Sequence, residues 1–193
     1  MSKFFPLIFV LLWSSAFITT LPIVLNSDPF SALAFRFFFV GLCFFAFCIH
    51  KKLLLKVSIN NLINSLSTGI LFHGFYLGGV FYAIFIGLPT GIVALIVTLQ
   101  PILTNIFAGY MLNENVSFNQ WVGILMGFAG AILVIGFDVG KSLPFEGIIS
   151  TIIALLAITI STIWQKKVSN NIPLAVNNMY QAIGAVLFHL III

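Results

Sequence analysis

Seven stretches of nearly unbroken apolar residues divide this chain, with short polar breaks between them. They fall at 4–25, 29–49, 62–86, 89–112, 118–137, 147–164 and 173–193. Each approaches the roughly 20 residues that a helix needs to cross the hydrocarbon core of a bilayer. Lipid offers backbone groups no hydrogen bonds, so a crossing segment is a helix or part of a closed barrel. Barrel strands alternate inward and outward positions over about 10 residues. These runs are apolar on every side, which predicts helices. Asp28 and Pro29 form a cap-then-first-turn pair at the start of the second run. Pro101 falls mid-run, cannot donate to the Val97 carbonyl and predicts a kink.

Composition agrees with the pattern. Of 193 residues, 61% are hydrophobic and 6% charged, with a mean hydropathy of +1.21. Soluble domains carry about a quarter charged residues, so this chain could not cover a water-facing surface. The expected fold class is all-α, a multispan transmembrane helical bundle. The first run is too long for the apolar core of a cleaved signal peptide, which is about 7–15 residues. Cys43 and Cys48 lie five apart in one run and diverge on a helix, which predicts ordinary packing.

Charge then orients the bundle. A pI of about 9.3 would suggest nucleic acid in a soluble protein, but here the lysines sit beside spans. With a cytoplasmic N-terminus, Lys3, Lys51, Lys52, Lys56, Lys166 and Lys167 lie inside and Lys141 lies outside. Basic loops stay in the cytoplasm, so that orientation is expected. The last run, 185–193 (AVLFHLIII), has no polar flank. It reads as a chain cut short.

Little chemistry is available inside the spans. Asp28, Glu114, Asp138 and Glu146 all fall at run ends or in loops, which removes the usual carboxylate for proton coupling. His73 is the titratable group near the middle of a complete span, and Tyr76 shares its face. They either bridge helices or line a polar cavity. In the fourth span Thr90, Ala94, Thr98, Pro101, Asn105 and Ala108 recur at three- and four-residue steps. That stripe serves tight packing, a cavity wall with a hinge, or both. Trp13, Ser14, Ser15 and Thr19 mark the first span, where hydroxyls either bond back to the preceding turn or line a cavity. Arg36 either snorkels outward or pairs within the bundle. Gly74–Gly78, Gly87–Gly91 and Gly123–Gly127 are spacings that permit close helix approach. No HExxH, GxSxG, phosphate loop or CxxC occurs, and the last span has no lysine for a retinal Schiff base. No enzyme, cofactor or metal is expected.

LLWSSAF at 11–17, Pro29 followed by Arg36 and Phe37, and the block 73–136 together resemble the EamA-type transporters of the drug/metabolite transporter superfamily. LLWSSAF at 11–17 is similar to that family's opening, and Pro29, Arg36 and Phe37 to its second span. The block 73–136 resembles it most closely. It holds Leu88–Gly91, Pro101, Glu114, Trp121 with Gly123, and Gly127 with Gly130, in the family's order. The resemblance implies ten helices in two five-helix repeats of inverted topology around a central cavity. Residues 4–137 would then be the first repeat, and 147–193 two helices of the second. It further implies a permease of the inner membrane that exports a small organic solute, such as an amino acid or related metabolite, by alternating access. The alternative is a truncated, transport-incompetent fragment of such a permease. The cavity wall would draw on Trp13, Ser15, His73, Tyr76, Thr98, Pro101, Asn105 and Trp164. Expected partners are the lipid bilayer, the solute and a second copy or missing second half, with no nucleic acid.

Overall fold

The computed structural model describes residues 4–112, 117–135, 143–168 and 172–193. Glu114, Asp138 and Lys141 lie outside the described residues, as do Lys3 and the side chains of Ala108 and Lys167. Among the described residues seven helical spans follow one another and no strand occurs. They are α1 (Phe5–Asn26), α2 (Pro29–His50), α3 (Ile59–Phe85), α4 (Thr90–Val97 and Gln100–Leu112), α5 (Phe118–Ile135), α6 (Phe145–Val168) and α7 (Leu174–Ile192). Among the described residues, five stretches are long and apolar enough to cross a membrane, in α2, α3, α4, α6 and α7; a shorter apolar run covers Val10–Asn26 of α1. The expected all-α multispan bundle is what the chain forms.

Local chemistry explains the helix boundaries. The Asp28 carboxylate accepts a 2.7 Å hydrogen bond from the Ser31 amide, and Pro29 opens α2. Ser58 caps α3 through the Asn61 amide at 3.3 Å, so the helix starts three residues ahead of the expected 62. The Asp28 cap is exposed and supplies one orphan amide with an acceptor. Asp28→Ala should lower unfolding stability in detergent by about 1 kcal/mol, whereas Asp28→Asn should leave it nearly unchanged. Denaturant titration of both variants checks this, and equal losses in the two would remove the capping explanation.

Two spans are irregular. In α3 the segment Ile70–Tyr76 widens into a π-helical stretch. In α4 the ladder breaks at Thr98 and Leu99, where the Leu99 amide bonds to Ile96 rather than Leu95. That break lies just before Pro101, the predicted kink site. The Thr98 hydroxyl closes the broken turn by donating to Leu95 O at 2.6 Å.

The packed centre consists of α2, α3, α6 and α7. Three bonds tie α6 along α3. Ser150 Oγ donates to Gly79 O at 3.0 Å, Ser161 Oγ to Thr68 O at 3.0 Å, and Trp164 Nε1 to Asn64 Oδ1 at 3.3 Å. Helix α7 crosses α3 where Gly69 meets the Gln181 backbone and Gly184 meets the Leu66 carbonyl. It also packs along α2 and anchors its start through Tyr180 Oη, which donates to Leu55 O at 2.8 Å. Gln100 Nε2 donates to Thr162 Oγ1 at 3.3 Å and links α4 to α6. Helices α1 and α5 sit at the periphery, α5 against the first half of α4. Of the sequence's GxxxG spacings, Gly74 and Gly78 are packed, against Phe188 and against Phe30 with His189. Gly87 instead takes φ +95° in the turn before α4, and Gly123 and Gly127 meet nothing within 4 Å.

Candidate functional site

The π-helical stretch of α3 sets the centre of the site. In an α-helix the Leu77 amide would bond to the His73 carbonyl, four residues back. Here it bonds to Gly74 O instead. The His73 carbonyl accepts from His189 Nε2 of α7 at 3.0 Å. A carbonyl can only accept, so Nε2 of His189 carries the hydrogen and its Nδ1 is an acceptor. That Nδ1 and the Nδ1 of His73 are both buried without a hydrogen-bond partner. Buried polar atoms are seldom left so, and π-stretches concentrate at functional sites.

Around His73 the rings of α2 and α3 meet. The Phe37 ring of α2 lies 4.5 Å from the imidazole, centroid to centroid, and the Phe72 ring lies 4.9 Å away. These three residues line two separate cavities. The first, of about 260 Å³, lies between α1, α2 and α3. Its walls include Trp13, Thr20, Arg36, Tyr76 and Phe81. The second, of about 250 Å³, lies between α2, α3, α6 and α7 and carries Gln165, Asn178 and Gln181. The first is lined by the middle of α1, the first half of α2 and the second half of α3. The second takes Gln165 from near the end of α6 and Asn178, Gln181 and Ala182 from the first half of α7. Phe37, Phe72 and His73 form the partition between them.

Residues 3–136 match the EamA-like transporter family. The chain belongs to that family. It is therefore a multi-pass integral membrane protein of the drug/metabolite transporter type. A relative from Bacillus subtilis (strain 168), named uncharacterized transporter YvbV, is 26% identical over 124 residues. That match covers 64% of this chain and 39% of the relative, so the chain spans well under half of the protein it resembles. No solved structure matches it. The matched region contains the packed turn Gly87–Pro89, where Leu88 is buried and its amide bonds to Ala83 O at 2.9 Å. It also contains both halves of the broken α4.

The expected cavity residues of this EamA-type chain separate into groups. Trp13, His73 and Tyr76 come together on the first cavity. Trp164 binds Asn64 on the α3–α6 seam, next to Gln165 of the second cavity. Ser15 donates to Leu12 O within its own helix at 2.8 Å and is exposed. Thr98 closes the α4 break, while Pro101 is exposed and Asn105 half-buried on the same helix. Arg36, Thr20, Phe37, Phe72, Asn178 and Gln181 line the cavities without having been singled out as site residues. Thr20 stands seven residues from Trp13, which puts both on one helical face, and that spacing was readable in advance. The polar positions of α7 were not, because their inward face depends on which helix α7 crosses.

Proposed function

We propose that the chain is the core of a membrane permease that exports a small organic solute by alternating access. The observation that carries this reading is the pair of cavities divided at mid-span by Phe37, Phe72 and His73. A solute site with two vestibules and a thin partition is what an alternating mechanism requires. The first cavity would face outward and the second the cytoplasm, with the N-terminus inside, because Lys51, Lys52, Lys56 and Lys166 share one end. The cargo class that suits ring-lined walls is an amino acid or related metabolite.

Residues 4–137 would serve as one repeat, and α6 and α7 would begin an inverted second repeat, in the inner membrane. The packing of α7 along α2 supports that pairing, since the second helix of each repeat would meet near a shared axis. The relative is much longer than the matched stretch. The remaining cavity walls would therefore come from a second copy or a missing second half. That same observation favours the other reading, a fragment that does not transport by itself. Purified chain in liposomes should exchange labelled amino acids or metabolites at least about tenfold faster than empty liposomes, and Tyr76→Ala should slow this. No exchange by the chain, with exchange by full-length YvbV under the same conditions, would leave the fragment reading standing.

A further inference from the structure

We infer that the first cavity is a binding site for a monocarboxylate with an apolar, ring-sized body, whose carboxylate is held by Arg36. This narrows the cargo of the proposed permease and rests on that reading for its role, although binding itself needs no transport. Arg36 lies seven residues into α2, about 10 Å from the helix start. An ionised side chain at that depth is costly and marks a functional position by default. Its guanidinium carbon sits 5.7 Å from the Phe37 ring centroid and the residue lines the cavity. No carboxylate pairs with it among the described residues, and Asp28 is engaged with the Ser31 amide. A guanidinium presents a planar fork of donors that fits a carboxylate through two bonds.

The rest of the cavity fixes the other half of the ligand. Trp13, Phe17, Phe37, Tyr76 and Phe81 surround the space beside Arg36. Arg36 and Trp13 are exposed, so the apolar walls shield a charge pair there only in part and strengthen it to that extent. No carboxylate lines the cavity to hold an ammonium. At about 260 Å³ the space is at the small end for organic ligands. An anionic oxygen could also come from a lipid phosphate reaching Arg36 from the bilayer, so the test separates these sources.

The test uses the purified full chain in nanodiscs of phosphatidylcholine, probed with labelled 3-phenylpropionate, its neutral amide and phenethylamine. The carboxylate should bind at least about tenfold more tightly than either analogue. Arg36→Gln should abolish that preference, while Arg36→Lys should keep part of it. Adding phosphatidylglycerol to the nanodisc should leave the carboxylate affinity within about twofold. Equal binding of the three probes, binding of none, or an unchanged preference in Arg36→Gln overturns the assignment. Displacement of the probe by phosphatidylglycerol assigns Arg36 to a lipid phosphate and overturns it too. Should Arg36→Gln not fold, the wild-type probe series still decides. A chain that binds the amine best leaves the permease reading intact, and one that binds the carboxylate yet never exchanges it in liposomes fails only as a permease.

Discussion

Replacing Phe72 or Phe37 by alanine will join the two cavities into one water-filled path. The partition is one layer of rings: Phe37 and Phe72 flank the His73 imidazole at 4.5 and 4.9 Å. A purely apolar void of ring size stays dry, but polar walls admit water, each molecule needing about 30 Å³. Here the void would be bounded by His73 Nδ1, which has no partner, and the second cavity adds Gln181 and Asn178. Water would therefore enter. The measurement is labelling by a membrane-impermeant thiol reagent, with Cys43 and Cys48 replaced by alanine. Asn178→Cys reports on the second cavity and Ala16→Cys on the first. With the partition intact, reagent on the Ala16 side should leave Asn178→Cys unlabelled. With Phe72→Ala, labelling should rise by about an order of magnitude. Phe37 is 3% exposed within the core, so Phe37→Ala carries the larger folding cost, about 3–5 kcal/mol. The half-buried Phe72 is the safer variant. Unchanged labelling at Asn178→Cys, with normal labelling at Ala16→Cys, would show that the rings do not separate the cavities.

Such a variant could not have been chosen from the sequence, and the reason is physical. Span positions are legible because lipid selects long apolar runs, and the polar residues that interrupt them have local duties. Asp28 and Ser58 cap helices, and Pro101 follows a break in its own span. Each of those signals acts within about four residues. The widening of α3 at Ile70–Tyr76 has no such local mark. It coincides with contacts from a distant helix, where His189 takes the His73 carbonyl. The site was legible for the same reason only in part. His73 and Tyr76 stand three apart on one helix, and Trp13 faces them from α1. Ser15 and Thr98 each donate to their own preceding turn, the local use that a hydroxyl on a helix always has open to it. A hydroxyl bonded to its own preceding turn is therefore weaker evidence of a cavity, although Thr20 donates to Ala16 O at 2.7 Å and still lines the first one. Arg36 has no such local claim, which is why it carries more functional meaning than the hydroxyl stripe of α4.

The other large effect expected is at the α3–α7 crossing. Lipid tails are as apolar as leucine, so no hydrophobic drive pushes these helices together. Close packing and interhelical bonds must hold them. A Cβ on Gly69 would overlap the Gln181 backbone, and one on Gly184 would sit 2.6 Å from the Leu66 carbonyl oxygen. Both obstacles are main chain, so no rotamer change relieves them and the helices must separate. Separation would also lengthen the 3.3 Å bond from Gln181 Nε2 to Thr68 Oγ1 and the 3.0 Å bond from His189 Nε2 to His73 O. Gly69→Ala should therefore lose about 3 kcal/mol, at the upper end for overpacking. Gly74→Ala meets the Phe188 ring instead, a side chain that can swing away, and should cost less. Gly123→Ala and Gly127→Ala meet nothing within 4 Å and should be neutral or stabilising by up to about 1 kcal/mol, the helix-propensity difference. Unfolding in mixed micelles, followed by far-ultraviolet circular dichroism and tryptophan fluorescence, ranks the four variants. A Gly69→Ala chain as stable as Gly123→Ala would mean that the α3–α7 crossing is not what holds this bundle together.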